Sequence, residues 1–265
     1  MSAPKIGGKW GDLVPRAASG VAMIVVGVLA IWLGGPVFAG LAVLVSALMV
    51  WELMMMVAPN RAGNAVGLAI VAAAVLVLVF WLHSPIGLIY LLIVPILAAF
   101  IARGRRLVGA AYGLAIMLTG YGLVALREGA GLSVIFWIVV IVVVSDVAGY
   151  FVGRMLGGPK FWPKVSPKKT WSGTVAGWVG AALVGVIFVQ FGGATSLIWI
   201  SPLLAFAGQM GDIVESALKR SVGVKDSSAL IPGHGGVLDR FDALLGAVVF
   251  LILLSQVMPL PLTEG

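Results

Sequence analysis

The chain has 265 residues, 61% of them hydrophobic and only 10% charged, with a mean hydropathy of +1.14. Crossing a hydrocarbon core of about 30 Å takes roughly 20 helical residues, and apolar runs of that size recur along most of the sequence. Composition therefore predicts an all-α, polytopic integral membrane bundle and excludes a transmembrane barrel, whose strands alternate and are only about 10 residues long. With no cysteine there are no disulfides, thiolate metal sites or cysteine nucleophiles. The formal charge of +7 is read as loop charge on the cytoplasmic side, with some attraction to anionic lipid, and not as nucleic-acid binding.

In chain order, Lys5, Lys9 and Arg16 precede a first apolar run. That run continues from Val21 to Leu33 through a Gly-Gly-Pro turn into a second one, so it is read as a retained helix and not a signal peptide. Segments bounded by Gly, Pro or charge predict about nine transmembrane helices, near 17–34, 36–58, 65–82, 85–102, 107–126, 131–152, 174–193, 197–217 and 243–260. The 197–217 segment is the least regular, because "GQMGDIVESALKR" turns polar before it ends. A cytoplasmic N-terminus with alternating sides places 16 of the 17 Lys and Arg residues inside, Arg127 alone falling outside together with the C-terminal "PLTEG".

Residues 1–135 then form the N-terminal transmembrane helices, and 136–265 a catalytic transmembrane region with a polar motif over 216–242. No internal repeat is evident, and polar residues gather at the ends of the last spans; both features speak against a transporter. In the apolar N-terminal half, Glu52 of "VWELMMM" is read in two ways, as a carboxylate paired or reaching the interface, or as a site residue.

Five of the ten acidic residues fall between 212 and 242. Helical spacing puts Asp212, Glu215, Ser216 and Lys219 on one face and aligns Asp239 with Asp242. Two carboxylate-bearing helix ends joined by a glycine-rich loop offer oxygen ligands suited to Mg²⁺, whereas His83 and His234 alone make a nitrogen-ligated metal a poor fit. The bland alternative is a set of surface ion pairs. "PGHGG" is either a simple turn or a loop whose amides face a phosphate, with His234 a loop residue or a participant. The segment "GRMLGGPKFWPKVSPKKTWSG" supplies Arg154, Lys160, Lys164, Lys168 and Lys169, as positive-inside charge or as an anion clamp. Trp162 and Trp171 are read as interface anchors. A site for several phosphates and a divalent metal, reached by lipid, favours phosphoryl or nucleotidyl transfer to a lipid.

The stretch "SALKRSVGVKDSSALIPGHGGVLDRFD" resembles the signature of the phosphatidate cytidylyltransferase (CDP-diacylglycerol synthase) family, S-x-x-K-R-x-x-x-x-K-D followed by H-G-G-x-x-D-R-x-D. Ser216, Lys219, Arg220, Lys225, Asp226, His234, Gly235, Gly236, Asp239, Arg240 and Asp242 occupy its fixed positions. Upstream, "SDVAGYFVGR" and "SPKKTWSG" are similar to two further family segments, keeping Asp146, Arg154, Lys168 and Lys169 in register. Val147, Gly149 and Ser172 depart from the usual residues.

The resemblance implies an Mg²⁺-dependent homodimeric enzyme of phospholipid biosynthesis, in a bacterial inner membrane with its site on the cytoplasmic face. It would convert CTP and phosphatidic acid to CDP-diacylglycerol and pyrophosphate, with room for a second cation. By the same carry-over Asp212 and Asp239 would be metal ligands, with Asp242, Asp226 and Asp146 weaker candidates that spacing does not rank. Asp212, Asp239, Lys219, Arg220, His234 and Asp242 would be catalytic. Arg154, Lys168, Lys169, Ser216, Lys225, Asp226, Gly235, Gly236 and Arg240 would bind substrate.

Overall fold

A bilayer offers no hydrogen bonds to the backbone, so each spanning segment must satisfy its own, and helices do this within one segment. The computed structural model, described over residues 13–260, follows that rule. Its helices are α1 (Leu13–Leu33), α2 (Gly35–Val57), α3 (Ala62–Leu82), α4 (Ile93–Ile101), α5 (Arg106–Leu156), α6 (Trp171–Gln190), α7 (Leu197–Val222) and α8 (Leu238–Ser255). Among the described residues six helical segments are long and apolar enough to cross a membrane, which makes this an all-α membrane protein. Lys5, Lys9 and the terminal "PLTEG" lie outside the described residues.

Three elements refine the sequence expectation in instructive ways. The two segments expected at 107–126 and 131–152 are both helical and run end to end as α5, with a kink between them at Gly131 (φ 78°, ψ −172°) that separates the two helices. That backbone angle is open to glycine and closed to most other residues. The segment expected at 85–102 starts as a 3-10 helix, Pro85–Leu92, and becomes α-helical only at Ile93. The tighter winding rises about 2.0 Å per residue, so these 17 residues reach about 30 Å.

The third is α7, which does not stop where its sequence turns polar but continues to Val222. Of its charged residues, Asp212 and Lys219 line the site described below. The basic 154–169 region, read as a loop, carries a short antiparallel hairpin, β1 (Lys160–Trp162) with β2 (Ser166–Thr170). The hairpin is closed by Trp171 N donating to Pro159 O at 3.0 Å and by contact of the Phe161 and Trp171 rings.

Two apolar clusters hold the bundle. One joins α2, α3, α4 and the start of α5 through Met49, Leu53, Leu76, Ile116 and Met117. The other joins the second half of α5 to α6, α7 and α8 through Ile138, Ala181, Ile200, Leu204 and Val248. Large apolar side chains such as Ile24, Trp32, Ile70 and Trp81 stay exposed on the outside, as a lipid-facing surface requires.

Glycines set how closely the second group of helices packs. A Cβ on Gly211 would overlap the Asp242 carbonyl, and one on Gly246 the Ala207 carbonyl, so α7 and α8 touch backbone to backbone. Gly173 makes the same kind of approach to Gly149 between α6 and α5. These contacts bring the polar ends of α5, α6, α7 and α8 together. The basic connections meet at that same end: Arg61 Nη1 donates to Ile101 O (3.2 Å) and Arg105 Nη2 to Ser221 O (2.7 Å). Arg127 lies at the opposite end, its Nε donating to Ile31 O at 3.2 Å.

Candidate active site

Where the four helix ends converge there is a cavity of about 720 Å³. One wall is cationic, made by Arg154, Lys160, Lys168 and Lys169 from the end of α5 and the hairpin. The facing wall carries Asp212 and Lys219 from α7, then Asp226, Asp239, Arg240 and Asp242 from the following loop and α8. Asp146 lines the cavity from α5. The structure thus gathers these eleven residues, all singled out by sequence, around one space from segments up to about a hundred residues apart.

The two walls are joined by charge. Lys169 Nζ lies 2.5 Å from Asp212 Oδ2 and donates to Gln209 O, which fixes β2 against α7. Ser216 Oγ donates to the other oxygen of Asp212 at 3.3 Å. Below it, Lys219 is ion-paired with both Glu215 and Asp239, its Nζ lying 2.6 Å from Asp239 Oδ1.

Among the carboxylates lining the cavity, Asp239 is the most fully engaged. Besides Lys219 it accepts at Oδ2 from Ser227 N (2.9 Å), Ser227 Oγ (2.9 Å) and Gly236 N (2.7 Å). Asp212, Glu215 and Asp242 are different, each offering an oxygen so that the three lie within 4.8 Å of one another. Both Glu215 oxygens are buried and accept no hydrogen bond beyond the ion pair with Lys219. Asp242 accepts at Oδ1 only from the neighbouring Ala243 N (2.7 Å). Three converging carboxylates with so few donors form an all-oxygen set of the kind that suits a hard divalent cation.

Other singled-out residues stand outside the cavity lining. Arg220 and Lys225 are exposed beside it, without a hydrogen-bond or ion-pair partner among the described residues. His234 turns away toward α1, its Nδ1 paired with Ser19 Oγ at 2.9 Å, while Ser19 Oγ also lies 2.9 Å from Pro232 O. In the "PGHGG" loop, His234 N donates to Ile231 O and Gly236 N to Asp239, so those amides are already used inside the protein. Gly235 has φ 82°, and a Cβ there would meet Asp239 Oδ2 at 2.7 Å.

Sequence inspection gave no site role to Gln209 and did not carry Glu215 into the ligand set. Gln209 lines the cavity, donates to Ser145 Oγ and Thr174 O, and accepts from Trp178 Nε1. Its position three residues before Asp212 on the same helix is the signal that could have found it.

Comparison with known proteins gives the same direction. A family model described as "Cytidylyltransferase family" matches residues 14–258. The phosphatidate cytidylyltransferase of Brucella suis is 42% identical over 137 residues, which is 51% of this chain and 51% of that protein. That of Bacillus subtilis is 44% identical over 128 residues, 47% of this chain and 48% of the relative. That of Haemophilus influenzae is 42% identical over 128 residues, covering 45% and 44%. The alignments span about half the length of these curated relatives. With the family model matched over most of its length, the chain belongs to the cytidylyltransferase family.

Proposed function

We propose that the protein is a phosphatidate cytidylyltransferase that makes CDP-diacylglycerol and pyrophosphate from CTP and phosphatidic acid. The observation that carries this is one cavity at the end of an apolar bundle, lined by Lys168, Lys169 and Arg154 together with Asp212 and Asp242, with the buried Glu215 carboxylate beside those two. Relatives bearing that name support it.

The nucleophile is a phosphate monoester with a second pKa near 6, already largely dianionic at neutral pH, so no strong general base is required. An oxygen of the lipid phosphate forms a bond to the α-phosphorus of CTP while the bond from that phosphorus to the bridging oxygen breaks, and pyrophosphate leaves with the electron pair. The obstacle is the approach of two polyanions, which makes charge neutralisation and alignment the protein's task. Arg154, Lys160 and Lys168 face the cavity and neutralise phosphate; Arg154 can do so as a fork and the lysines as mobile point charges. Lys169 and Lys219 are already paired with carboxylates, so they hold the two walls in register and share their charge with substrate. Arg220, Lys225 and Arg240 meet the nucleotide or lipid head group at the rim, and Asp226 closes that side.

Mg²⁺ fits the set of Asp212, Glu215 and Asp242, with Asp146 lining the same cavity and space for a second cation. Asp239, engaged by four donors, serves this set by holding Lys219 and the loop. Bound there, the metal would supply Lewis-acid polarisation of phosphate oxygens and neutralise developing charge.

The topology belongs to the same proposal: nine crossings, the N-terminus inside, and the site on the cytoplasmic face of a bacterial inner membrane. The gathering of basic connections at the site end supports it. The acyl chains remain among lipids while the head group reaches the cavity. Assembly as a homodimer rests on the family resemblance, and sedimentation of the detergent-solubilised protein tests it. For the activity, purified protein is given labelled CTP, phosphatidic acid and Mg²⁺, and the organic phase is examined. A cytidine-containing lipid is expected; its absence across lipid and metal concentrations contradicts the proposal.

A further inference from the structure

Glu52 sits on α2, far in sequence from the signature motif, and is completely buried within an apolar bundle. A carboxylate in such a place is costly unless it is compensated. Compensation by a cation is ruled out by the geometry, since no Lys or Arg among the described residues forms an ion pair with it. Four hydrogen-bond donors surround it instead. Val237 N (2.8 Å) and Ser228 Oγ (2.6 Å) donate to Oε1, and Leu238 N (2.6 Å) and Ser227 Oγ (3.1 Å) to Oε2.

All four donors belong to residues 227–238, the segment that joins α7 to α8. Val237 and Leu238 present the free amides at the start of α8, which no side chain of that helix caps, and Glu52 caps them from another helix. Ser227 Oγ is shared between Glu52 and Asp239, so the two carboxylates grip the loop together. A contiguous chain of contacts then runs from Glu52 through Ser227, Asp239 and Lys219 to Glu215 in the carboxylate cluster. Gly236 marks where the carboxylate enters, because a Cβ there would lie 2.5 Å from Glu52 Oε1.

We infer that Glu52 is a positioning residue for nucleotidyl transfer, fixing the start of α8 so that Asp242 and Arg240 face Asp212 across the cavity. The inference rests on the function proposed above. Glu52 touches no cavity lining, so its loss changes alignment and not substrate affinity. Glu52→Gln keeps the shape but turns an amide donor toward N–H and O–H donors, while Glu52→Asp keeps the charge and shortens the reach.

Both variants, with Arg127→Gln at the opposite end as control, are compared with wild type for kcat, for KM of CTP and phosphatidic acid, and for thermal unfolding. Activity is expressed per folded molecule. Glu52→Gln is expected to lose about 10- to 100-fold in kcat with both KM values kept, Glu52→Asp to recover part of that loss, and Arg127→Gln to match wild type. Wild-type kcat in folded Glu52→Gln overturns the inference. If Glu52→Gln does not fold, Glu52→Asp decides: reduced kcat supports positioning, whereas wild-type kcat, or no folded protein, overturns it in favour of a purely structural role. The wild-type arm separates the two claims, since a wild-type protein that forms no cytidine lipid contradicts the proposed function itself.

Discussion

Lys169 and Asp212 meet at 2.5 Å across the cavity, one from the hairpin and the other from α7. That contact joins the cationic wall to the carboxylate wall, and both side chains are partly exposed, so the pair remains reachable by a substrate.

Lys169→Ala is expected to release the hairpin from α7 and to leave Asp212 without its cation. A fall in kcat of about 10²–10³ is expected, the usual scale for losing one preorganised electrostatic contact. Lys168→Ala, whose side chain is exposed on the same strand, is expected to weaken activity only in part, through the KM of CTP or phosphatidic acid. Equal effects in steady-state kinetics would remove the distinction.

Asp239→Asn replaces an acceptor held by Ser227, Gly236 and Lys219. The amide nitrogen opposes a donor whichever way it is turned, and Lys219 is left with Glu215 alone. Turnover is expected to vanish while the protein still elutes as a folded species. Asp212→Asn is expected to behave alike, for the different reason that it leaves the converging carboxylate set. Wild-type rates in both variants would remove the site assignment.

Chelation provides a further check. Treating wild-type protein with EDTA is expected to stop turnover, and added Mg²⁺ to restore it. Asp242→Asn is expected to raise the Mg²⁺ concentration for half-activation at least about 10-fold, with the folded fraction unchanged. Undiminished turnover in EDTA would contradict the metal proposal.

The contact between α7 and α8 predicts a stability effect. Gly211→Val places a branched side chain against the Asp242 carbonyl and is expected to cost about 1–3 kcal/mol, together with most of the activity. Gly40→Val, on α2 with open space around it, is expected to change neither. Thermal unfolding in one detergent distinguishes them.

Much of this was legible in the sequence, for physical reasons that also explain what was not. The runs of apolar residues dictated helices because a bilayer leaves the backbone little choice, and the predicted segments coincide with helical stretches along the chain. Local spacing likewise put Asp212, Glu215 and Lys219 on one face of α7. What spacing does not encode is which partner a charge finds across space. That Asp239 is drawn to Ser227 and Lys219 while Glu215 joins Asp212 and Asp242 depends on the register of α7 against α8. Glu52 is the clearest case, since its four donors lie some 175 to 186 residues away. The orientation of His234 toward Ser19 depends on how α1 lies over the loop, which its apolar pattern does not determine.

The most direct test of the central claim follows the label within CTP. Purified full-length protein in detergent is given phosphatidic acid, Mg²⁺ and CTP labelled at either the α- or the γ-phosphorus. The α label is expected in the lipid phase together with cytidine, and the γ label in free pyrophosphate in equal amount. Transfer of the γ label to lipid, or no labelled lipid at any lipid and metal concentration, would contradict nucleotidyl transfer at this site.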